Sequence, residues 1–371
     1  MISRPGMSTR CARMATDLLP AGDAGQVLWN AETDDMLLCV DIHDETHDVK
    51  SFTFVSPDRK HIAFDAGQYF MFEVPQESEI DGRCYSISSS PHRRNAITIT
   101  VKRVPGGRVS NWLHDNLKPG TVVKASGPLG RFVRPAVAKY IFLSGGSGIT
   151  PVMSMTRELA DAARPIDVVF IHAGRTPKDF IFRSDLAILA ERMKGLRLLL
   201  LPEDVSNERS WPGLSGRISK ELLHMAVPDI AERVVMCCGP APFMRAAKSI
   251  AGELGVPARN YHEESFDAAV IEDASTLLSG AVEAQTFNVH FAKQSKSFEV
   301  RADQTVLSCA KKAGVRLPSS CASGICGTCK SKLVSGNVDM KHDGGIRQRE
   351  IEAGFFLPCC SKPLSDLVIE R

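Results

Sequence analysis

A cysteine-rich stretch near the carboxyl end constrains this chain more than any other feature. Three cysteines with the spacing C-x4-C-x2-C are followed, some thirty residues on, by two adjacent ones: Cys321, Cys326, Cys329, Cys359 and Cys360. This spacing is typical of 2Fe-2S sites, in which four thiolates hold two irons. Gly324 and Gly327 allow the loop backbone to approach the sulfides closely. The stretch therefore predicts one 2Fe-2S cluster.

Zinc and disulfides are the structural alternatives for these cysteines. Structural zinc prefers two C-x2-C pairs, and only Cys326 and Cys329 form one here. Disulfide frameworks belong to small secreted chains, whereas this chain has 371 residues and an odd count of 11 cysteines. The cysteine usage thus indicates a reducing compartment.

Composition predicts an ordinary globular protein, because 43% of the residues are hydrophobic and 24% are charged. The net charge of +2 favours neither nucleic acid nor membrane as a partner. We find no run of about 18 apolar residues that could span a bilayer. We expect a soluble, cytoplasmic protein with a flexible extension over residues 1–33.

Residues 34–136 read as a first domain. Short runs of alternating apolar and polar residues, separated mostly by glycine or proline, predict a small antiparallel β-barrel. Within it, Arg83-Cys84-Tyr85-Ser86-Ile87-Ser88-Ser89 resembles the flavin motif R-x-Y-S-x-S-S of the ferredoxin reductase superfamily. The resemblance implies that Arg83 binds the flavin phosphate, that Tyr85 stacks on the isoalloxazine, and that Ser86 hydrogen-bonds near N5, with Ser88 also at the cofactor. The residue types suit these roles, although an edge strand is the plain structural alternative.

A second segment of this domain, residues 102–113, places glycines before a helix. Gly107, Val109 and Ser110 stand where free N–H groups can meet a phosphate, and their order after the Arg83 motif matches the superfamily. A hairpin turn with a helix cap is the alternative. His114, in the same helix, is interpreted as a hydrogen-bonded structural residue.

Residues 137–266 read as a second domain. An apolar run ends in a glycine loop that opens a helix, and the superfamily writes this loop as G-G-x-G-I-T-P; the matching residues are Gly145, Gly146, Gly148, Thr150 and Pro151. Strands alternate with helices after it, which predicts a doubly wound parallel sheet. Arg175 follows the second strand, where the dinucleotide ribose should lie, and the resemblance favours NADH over NADPH.

The end of a later strand, Cys238-Gly239-Pro240, matches the superfamily as well. The resemblance implies that Cys238 shapes the hydride-transfer pocket beside the nicotinamide; a buried structural thiol is the alternative. By the same likeness, Glu264 lies near the active site and Phe266 contacts the other face of the flavin.

Residues 267–285 read as a linker, and residues 286–371 as a β-grasp ferredoxin domain. Plant-type ferredoxins have their fourth ligand four residues before a proline, which implies Cys359, with Cys360 as a buried neighbour. Residues 340–350 are basic where photosynthetic ferredoxins are acidic, and resemble the reductase components of Rieske oxygenases that demethylate glycine betaine or proline betaine. This segment is interpreted either as a solvated helix or as a docking surface for a partner.

Together the three domains resemble one-chain flavin and ferredoxin reductases. The resemblance implies an NAD(P)H-dependent oxidoreductase that passes electrons from NADH through FAD, with FMN as the alternative, and one 2Fe-2S cluster to a Rieske-type oxygenase component. A reductase of a hybrid-cluster protein, and an electron-transfer subunit without a productive nicotinamide site, are the rival hypotheses.

Overall fold

The computed structural model describes residues 27–75, 80–163, 165–208, 210–266, 285–315, 317, 324, 327–342 and 344–371. Its strands form three separate main sheets, one in each predicted domain. No helix within these ranges is long and apolar enough to cross a membrane.

The first sheet has six antiparallel strands in the order β4-β3-β6-β1-β2-β5. They are β1 (Met36–Thr46), β2 (Val49–Val55), β3 (Tyr69–Pro75), β4 (Ile80–Ser86), β5 (Ile97–Lys102) and β6 (Val122–Leu129), with helix α1 (Arg108–Asn116) between the last two. A bridge between Ile87 and Ile99 joins the two outer strands, so the sheet closes into a barrel. Alternate side chains point inward, and Phe70 and Phe72 of β3 are fully buried in its core.

Residues 27–33, which we assigned to a flexible extension, pack against this barrel. The indole of Trp29 is buried and donates a hydrogen bond of 2.8 Å to the carbonyl of Gly127, and Leu28 bridges to His61. The buried indole and the backbone pairing attach this lead-in to the barrel, so the barrel domain begins before residue 34. Residues 1–26 lie outside the described residues.

The second sheet is parallel, with the strand order β11-β10-β7-β8-β9. Its strands are β7 (Lys139–Gly145), β8 (Asp167–Gly174), β9 (Leu196–Pro202), β10 (Val234–Cys238) and β11 (Tyr261–Glu264), and its helices are α2 (Ile149–Asp161), α3 (Arg183–Arg192), α4 (Lys220–Ala226) and α5 (Ala241–Glu253). Separate apolar clusters cover its two faces, one including α2 and α3 and the other including α4 and α5. The predicted doubly wound arrangement is confirmed, and ligands of such sheets bind at the carboxyl ends of the strands.

The third sheet has the order β13-β12-β18-β14-β16, with β15 and β17 paired beside it. Its elements are β12 (Thr286–Phe291), β13 (Lys296–Arg301), α6 (Val306–Lys312), β14 (Ser331–Ser335), β15 (Val338–Met340), α7 (Gln348–Glu352), β16 (Phe355–Phe356), β17 (Ser361–Pro363) and β18 (Leu367–Ile369). An antiparallel hairpin, one parallel strand pair and a helix across the sheet form the predicted ferredoxin-like α+β fold. Of the predicted linker, only Gln285 lies within the described residues.

Candidate functional site

Three predicted catalytic residues meet where the barrel faces the carboxyl edge of the parallel sheet. Ser86 ends β4, Cys238 ends β10 and Glu264 ends β11. Cys238 and Glu264 are register partners on adjacent strands. The hydroxyl of Ser86 donates a hydrogen bond of 3.4 Å to Oε2 of Glu264. Residues 178 positions apart in the sequence therefore meet at one junction between the first two domains.

Glu264 is the carboxyl group at this junction. Burial raises the pKa of its carboxyl from 4.5 to about 8, and the hydrogen bond from Ser86 acts in the opposite direction. With such a pKa the carboxyl is mostly protonated at neutral pH. It can therefore hold a proton beside the hydroxyl of Ser86.

The thiol of Cys238 is fully buried at the end of β10. Burial raises its pKa well above 9.0, and the nearby Glu264 raises it further. A neutral thiol is a poor nucleophile, so Cys238 can contribute shape and apolar contact to the pocket but not covalent chemistry.

The flavin motif occupies β4, which is the outer strand beside β3. Nη2 of Arg83 donates to the carbonyl of Phe266 at 3.1 Å, which ties the barrel to the segment after β11. The ring of Tyr85 packs edge-on against Phe72, while its hydroxyl is buried and finds no partner among the described residues. A buried phenol normally finds a hydrogen-bond partner, so this orphaned hydroxyl fits a site built for a further group.

The hydroxyl of Ser88 does not take part in the junction of Ser86 with Glu264. Its hydroxyl is fully buried in the barrel wall, 2.9 Å from the hydroxyl of Thr100 and 3.1 Å from the carbonyl oxygen of Thr98. The backbone carbonyl of Ser88 accepts a hydrogen bond of 2.7 Å from Arg157 of α2, and Ser154 of α2 donates to the next carbonyl, that of Ser89, at 2.7 Å. The helix of the dinucleotide loop thus holds the end of the flavin motif in place.

The predicted anion site lies at the start of α1. Gly107 is the N-cap of this helix and has extended backbone angles, whereas Val109 and Ser110 are buried in its first turn. The hydroxyl of Ser110 accepts a hydrogen bond of 3.3 Å from the N–H of Val104. His114 is also buried, and its Nε2 lies 2.8 Å from the carbonyl oxygen of Val101. This agrees with the structural role predicted for His114.

The glycine loop after β7 is packed tightly against the end of β10. A Cβ atom on Gly148 would lie 2.3 Å from the carbonyl oxygen of Cys238, closer than any side chain tolerates. Thr150 is buried near the start of α2, and its hydroxyl donates to the carbonyl of Ser147 at 3.1 Å. Because the helix follows the loop directly, its N–H groups face the same edge of the sheet as Cys238.

A cleft of about 600 Å³ opens at this edge. Its wall includes the predicted Gly145, Gly146, Arg175 and Pro240. It also includes Lys102, Pro242 and Phe243, which lie in or next to the segments that the sequence indicated, and three residues that the sequence did not single out: Asp179, Glu203 and Arg217. Gly239, between Cys238 and Pro240, packs against the backbone of Gly145. The size and the mixture of apolar and charged walls suit part of a dinucleotide.

Glu203 and Arg217 form an ion pair at the rim of the cleft, with Nε of Arg217 2.7 Å from Oε1 of Glu203. The N–H of Glu203 also donates to the carbonyl of Gly174, next to Arg175. A single acid after the third strand of a doubly wound sheet gives only a weak sequence signal. Its position at the carboxyl edge is the feature that would have identified it.

Two of the four predicted cluster ligands, Cys329 and Cys359, lie among the described residues of the third domain. Cys329 and Cys359 are buried in one apolar group with Leu307, Ile346 and Leu357. Cys360 flanks this group and is more exposed, with its thiol 3.6 Å from the carbonyl oxygen of Leu357. Cys321 and Cys326 lie outside the described residues. Two buried thiols at one point form a donor set suited to an iron–sulfur cluster.

The backbone of the cluster loop follows the predicted glycine pattern at Gly327. This residue has φ +70°, and a Cβ atom there would lie 2.4 Å from the carbonyl oxygen of Gly345. The next residue, Thr328, places its Oγ1 3.9 Å from Sγ of Cys84, which lies between Arg83 and Tyr85. The cluster loop therefore touches the flavin-motif strand.

Comparison with known proteins supports this division of the chain. The sequence matches the family models of the oxidoreductase FAD-binding domain over residues 37–133, the oxidoreductase NAD-binding domain over residues 142–249 and the 2Fe-2S iron-sulfur cluster binding domain over residues 289–364. These matches support FAD, NADH and one 2Fe-2S cluster as the cofactors.

Relatives and a solved structure share the whole arrangement. The chain is 40% identical over 346 residues to a glycine betaine monooxygenase reductase subunit of Pseudomonas aeruginosa, covering 90% of this chain and 94% of the relative. It is 39% identical over 338 residues to a stachydrine N-demethylase reductase subunit of Rhizobium meliloti, covering 90% and 96%. Phthalate dioxygenase reductase, described as a modular structure for electron transfer from pyridine nucleotides to [2Fe-2S], has a TM-score of 0.56 and 27% identity, covering 91% of this chain and 97% of that one. The chain belongs to the family of NAD-dependent flavin and 2Fe-2S oxidoreductases, whose members include these reductase subunits of oxygenases.

Proposed function

We propose that this reductase supplies electrons to a Rieske-type oxygenase whose substrate is glycine betaine or a related quaternary amine. The names of the two relatives support the class of substrate, since one is a subunit of a glycine betaine monooxygenase and the other of a stachydrine N-demethylase. One structural observation carries the electron path. Strand β4 contacts Glu264 of the dinucleotide domain through Ser86, and it contacts Thr328 of the predicted cluster loop through Cys84.

Within this path, Ser86, Cys238 and Glu264 are proposed to form the hydride-transfer pocket. A bound flavin supplies the step from a two-electron donor to a one-electron acceptor. The protein contributes position: β10 and β11 present Cys238 and Glu264 side by side, and β4 brings the hydroxyl of Ser86 to the same point. The buried neutral thiol of Cys238 keeps water from the reacting faces.

Ser86 and Glu264 also provide a place for a proton. The carboxyl of Glu264, with a pKa of about 8, is protonated at neutral pH and lies 3.4 Å from the hydroxyl of Ser86. A hydroxyl and a neutral carboxyl in contact can pass a proton to or from a bound group.

The binding roles are proposed by position. Arg83 and the start of α1, with Gly107, Val109 and Ser110, hold the flavin phosphates, and Tyr85 covers the ring. The glycine loop at Gly145, Gly146, Gly148 and Thr150, together with Arg175, Gly239 and Pro240, holds the dinucleotide. Glu203, in the cleft wall, suits a ribose hydroxyl better than a 2′-phosphate, which favours NADH. Phe266 is proposed to contact the other face of the flavin, and the hydrogen bond from Arg83 to its carbonyl supports a position next to the flavin motif.

The cluster ligands are proposed to be Cys321, Cys326, Cys329 and Cys359. The shared burial of Cys329 and Cys359, in contrast to the more exposed Cys360, supports the choice of fourth ligand. Cys360 then remains a neighbour without a ligand role.

The test is reconstitution with a purified Rieske oxygenase. Glycine betaine, proline betaine and a non-methylated control such as glycine are offered with NADH, and formaldehyde release is measured together with NADH consumption. We expect coupled formaldehyde release with a betaine and none with glycine. If the protein reduced artificial acceptors rapidly with NADH but released no formaldehyde with any betaine oxygenase, the substrate assignment would be wrong. The assignment as an NADH-dependent reductase would remain.

A further inference from the structure

The basic segment between the third and fourth cluster cysteines makes contacts within the chain. The sequence offered a solvated helix or a partner-docking surface for residues 340–350. In the structure, Nη1 of Arg347 donates to the carbonyl of Glu32 at 3.3 Å and Nη2 donates to the carbonyl of Asp34 at 3.2 Å. Arg349 lies 3.8 Å from a carboxylate oxygen of Asp35. Both arginines therefore reach the turn that leads into β1 of the flavin domain.

The turn that receives Arg347 is held rigidly. The side chain of Asp34 accepts a hydrogen bond of 2.8 Å from the N–H of Asn30 and another of 2.6 Å from Nζ of Lys60. The amide oxygen of Asn30 accepts from the N–H of Glu32 at 2.9 Å, and the preceding Trp29 is buried. The two carbonyl oxygens are thus presented in fixed positions, as a bidentate guanidinium requires.

Arg347 is connected to the cluster on its own side. It is only 9% exposed, and the preceding Ile346 packs in the apolar group that contains Cys329 and Cys359. Its N–H donates to Oε2 of Glu350 at 2.9 Å, and the other oxygen of Glu350 accepts a hydrogen bond of 2.5 Å from Lys330, the residue after Cys329. A shift of Arg347 would therefore move the backbone beside a cluster ligand.

We propose that Arg347, assisted by the ion pair of Arg349 with Asp35, is a positioning residue that seats the ferredoxin domain on the flavin domain. The contact keeps Thr328, the residue before Cys329, against Cys84 on the flavin-motif strand. This proposal rests on the electron path proposed above. It adds that Arg347 sets the distance for electron transfer from the flavin to the cluster. In this contact the buried guanidinium of Arg347 donates to two carbonyl oxygens, and the more exposed ion pair of Arg349 with Asp35 lies beside it.

Arg347→Met tests the proposal, with Arg347→Lys as the conservative variant. Arg301→Met is the matched control, because Arg301 lies in the same domain and pairs with Asp303 on that domain's surface. In stopped flow with NADH, we expect flavin reduction at the wild-type rate in all variants. Cluster reduction should slow by about tenfold or more in Arg347→Met, less in Arg347→Lys, and not at all in the control. The EPR spectrum after dithionite reduction should stay unchanged.

A second readout needs no turnover. Hydrogen exchange at residues 30–36 should rise in Arg347→Met and stay unchanged in Arg301→Met, because only the first variant releases the domain contact. Cluster reduction at the wild-type rate in Arg347→Met, with unchanged exchange, would overturn the proposal. If only transfer to the oxygenase slowed, the segment would be a partner-docking surface. Failure of NADH to reduce the flavin in the wild-type protein would count against the proposed function instead.

A charge exchange keeps the test decisive should Arg347→Met fail to assemble its cluster. Arg349→Asp and Asp35→Arg each place like charges together and should slow cluster reduction about two- to fivefold. The double variant restores opposite charges and should recover most of the rate. If the double variant slowed cluster reduction by the product of the two single factors, the two side chains would act independently and the proposed contact would be wrong.

Discussion

Replacing Glu264 by glutamine should remove a proton that the folded protein binds near neutral pH. Burial raises the pKa of this carboxyl from 4.5 to about 8. Between these two values the folded protein therefore binds more protons at this site than the unfolded chain does. The contribution of Glu264 to stability is present in full below pH 4.5 and is lost as the pH rises through 8.

The size of the effect follows from the two pKa values. The free energy of unfolding of the wild type, measured relative to that of Glu264→Gln, should fall by at most about 3 kcal/mol when the pH is raised from about 5.5 to about 8.5. The comparison with an uncharged side chain of the same shape cancels the other titrating groups. Ser86→Ala removes a hydrogen bond that lowers the pKa of Glu264, so in that variant the loss should move to higher pH.

The assay is urea unfolding of the FAD-loaded protein at both pH values, followed by the fluorescence of released FAD. Glu263→Gln is the matched control, since Glu263 is on the same strand but exposed, where it pairs with Lys248 at 2.6 Å. Its stability should run parallel to that of the wild type across the pH range. An equal difference between the wild type and Glu264→Gln at both pH values would refute the reasoning, because Glu264 would then be ionised throughout.

Four further substitutions have defined outcomes. Cys359→Ser should abolish the cluster absorbance and leave FAD bound, whereas Cys360→Ser should keep both; the reverse pattern in visible spectra would exchange their roles. Gly148→Ala should weaken NADH binding about tenfold or more by equilibrium titration, because its Cβ atom would collide with the backbone of Cys238, and unchanged affinity would place the dinucleotide elsewhere. Arg233→Met should lower the free energy of unfolding by about 3–5 kcal/mol, since this buried guanidinium pairs with Asp167 and Asp229; a loss below about 1 kcal/mol would show that the pairs contribute little.

Local patterns predicted the three-domain layout and most of the elements. Alternation identified the barrel strands, and the glycine loop before Ile149 identified the start of the dinucleotide helix within a few residues. These signals are local because a strand, a phosphate loop and a cysteine loop each need particular residues at short spacings.

Contacts between domains could not be predicted in the same way. Arg347 reaches a turn more than 300 positions earlier, and no short spacing in the sequence encodes that approach. The segment around it was interpreted as solvated or as docking to another protein, because charge alone does not reveal its partner. The same limit applies to Trp29, whose burial depends on the barrel that follows it, and to Glu203, whose role depends on the edge of the sheet.

Anaerobic titration with NADH, followed by visible absorbance and EPR, is the most direct test of the proposed electron path from NADH through the flavin to the cluster. We expect bleaching of the flavin together with the EPR signal of a reduced 2Fe-2S cluster, because Glu264 of the dinucleotide domain and Thr328 of the cluster loop both contact the flavin-motif strand. A cluster that dithionite reduces, in a protein where neither centre responds to NADH or NADPH, would contradict it and indicate an electron-transfer subunit without a working nicotinamide site.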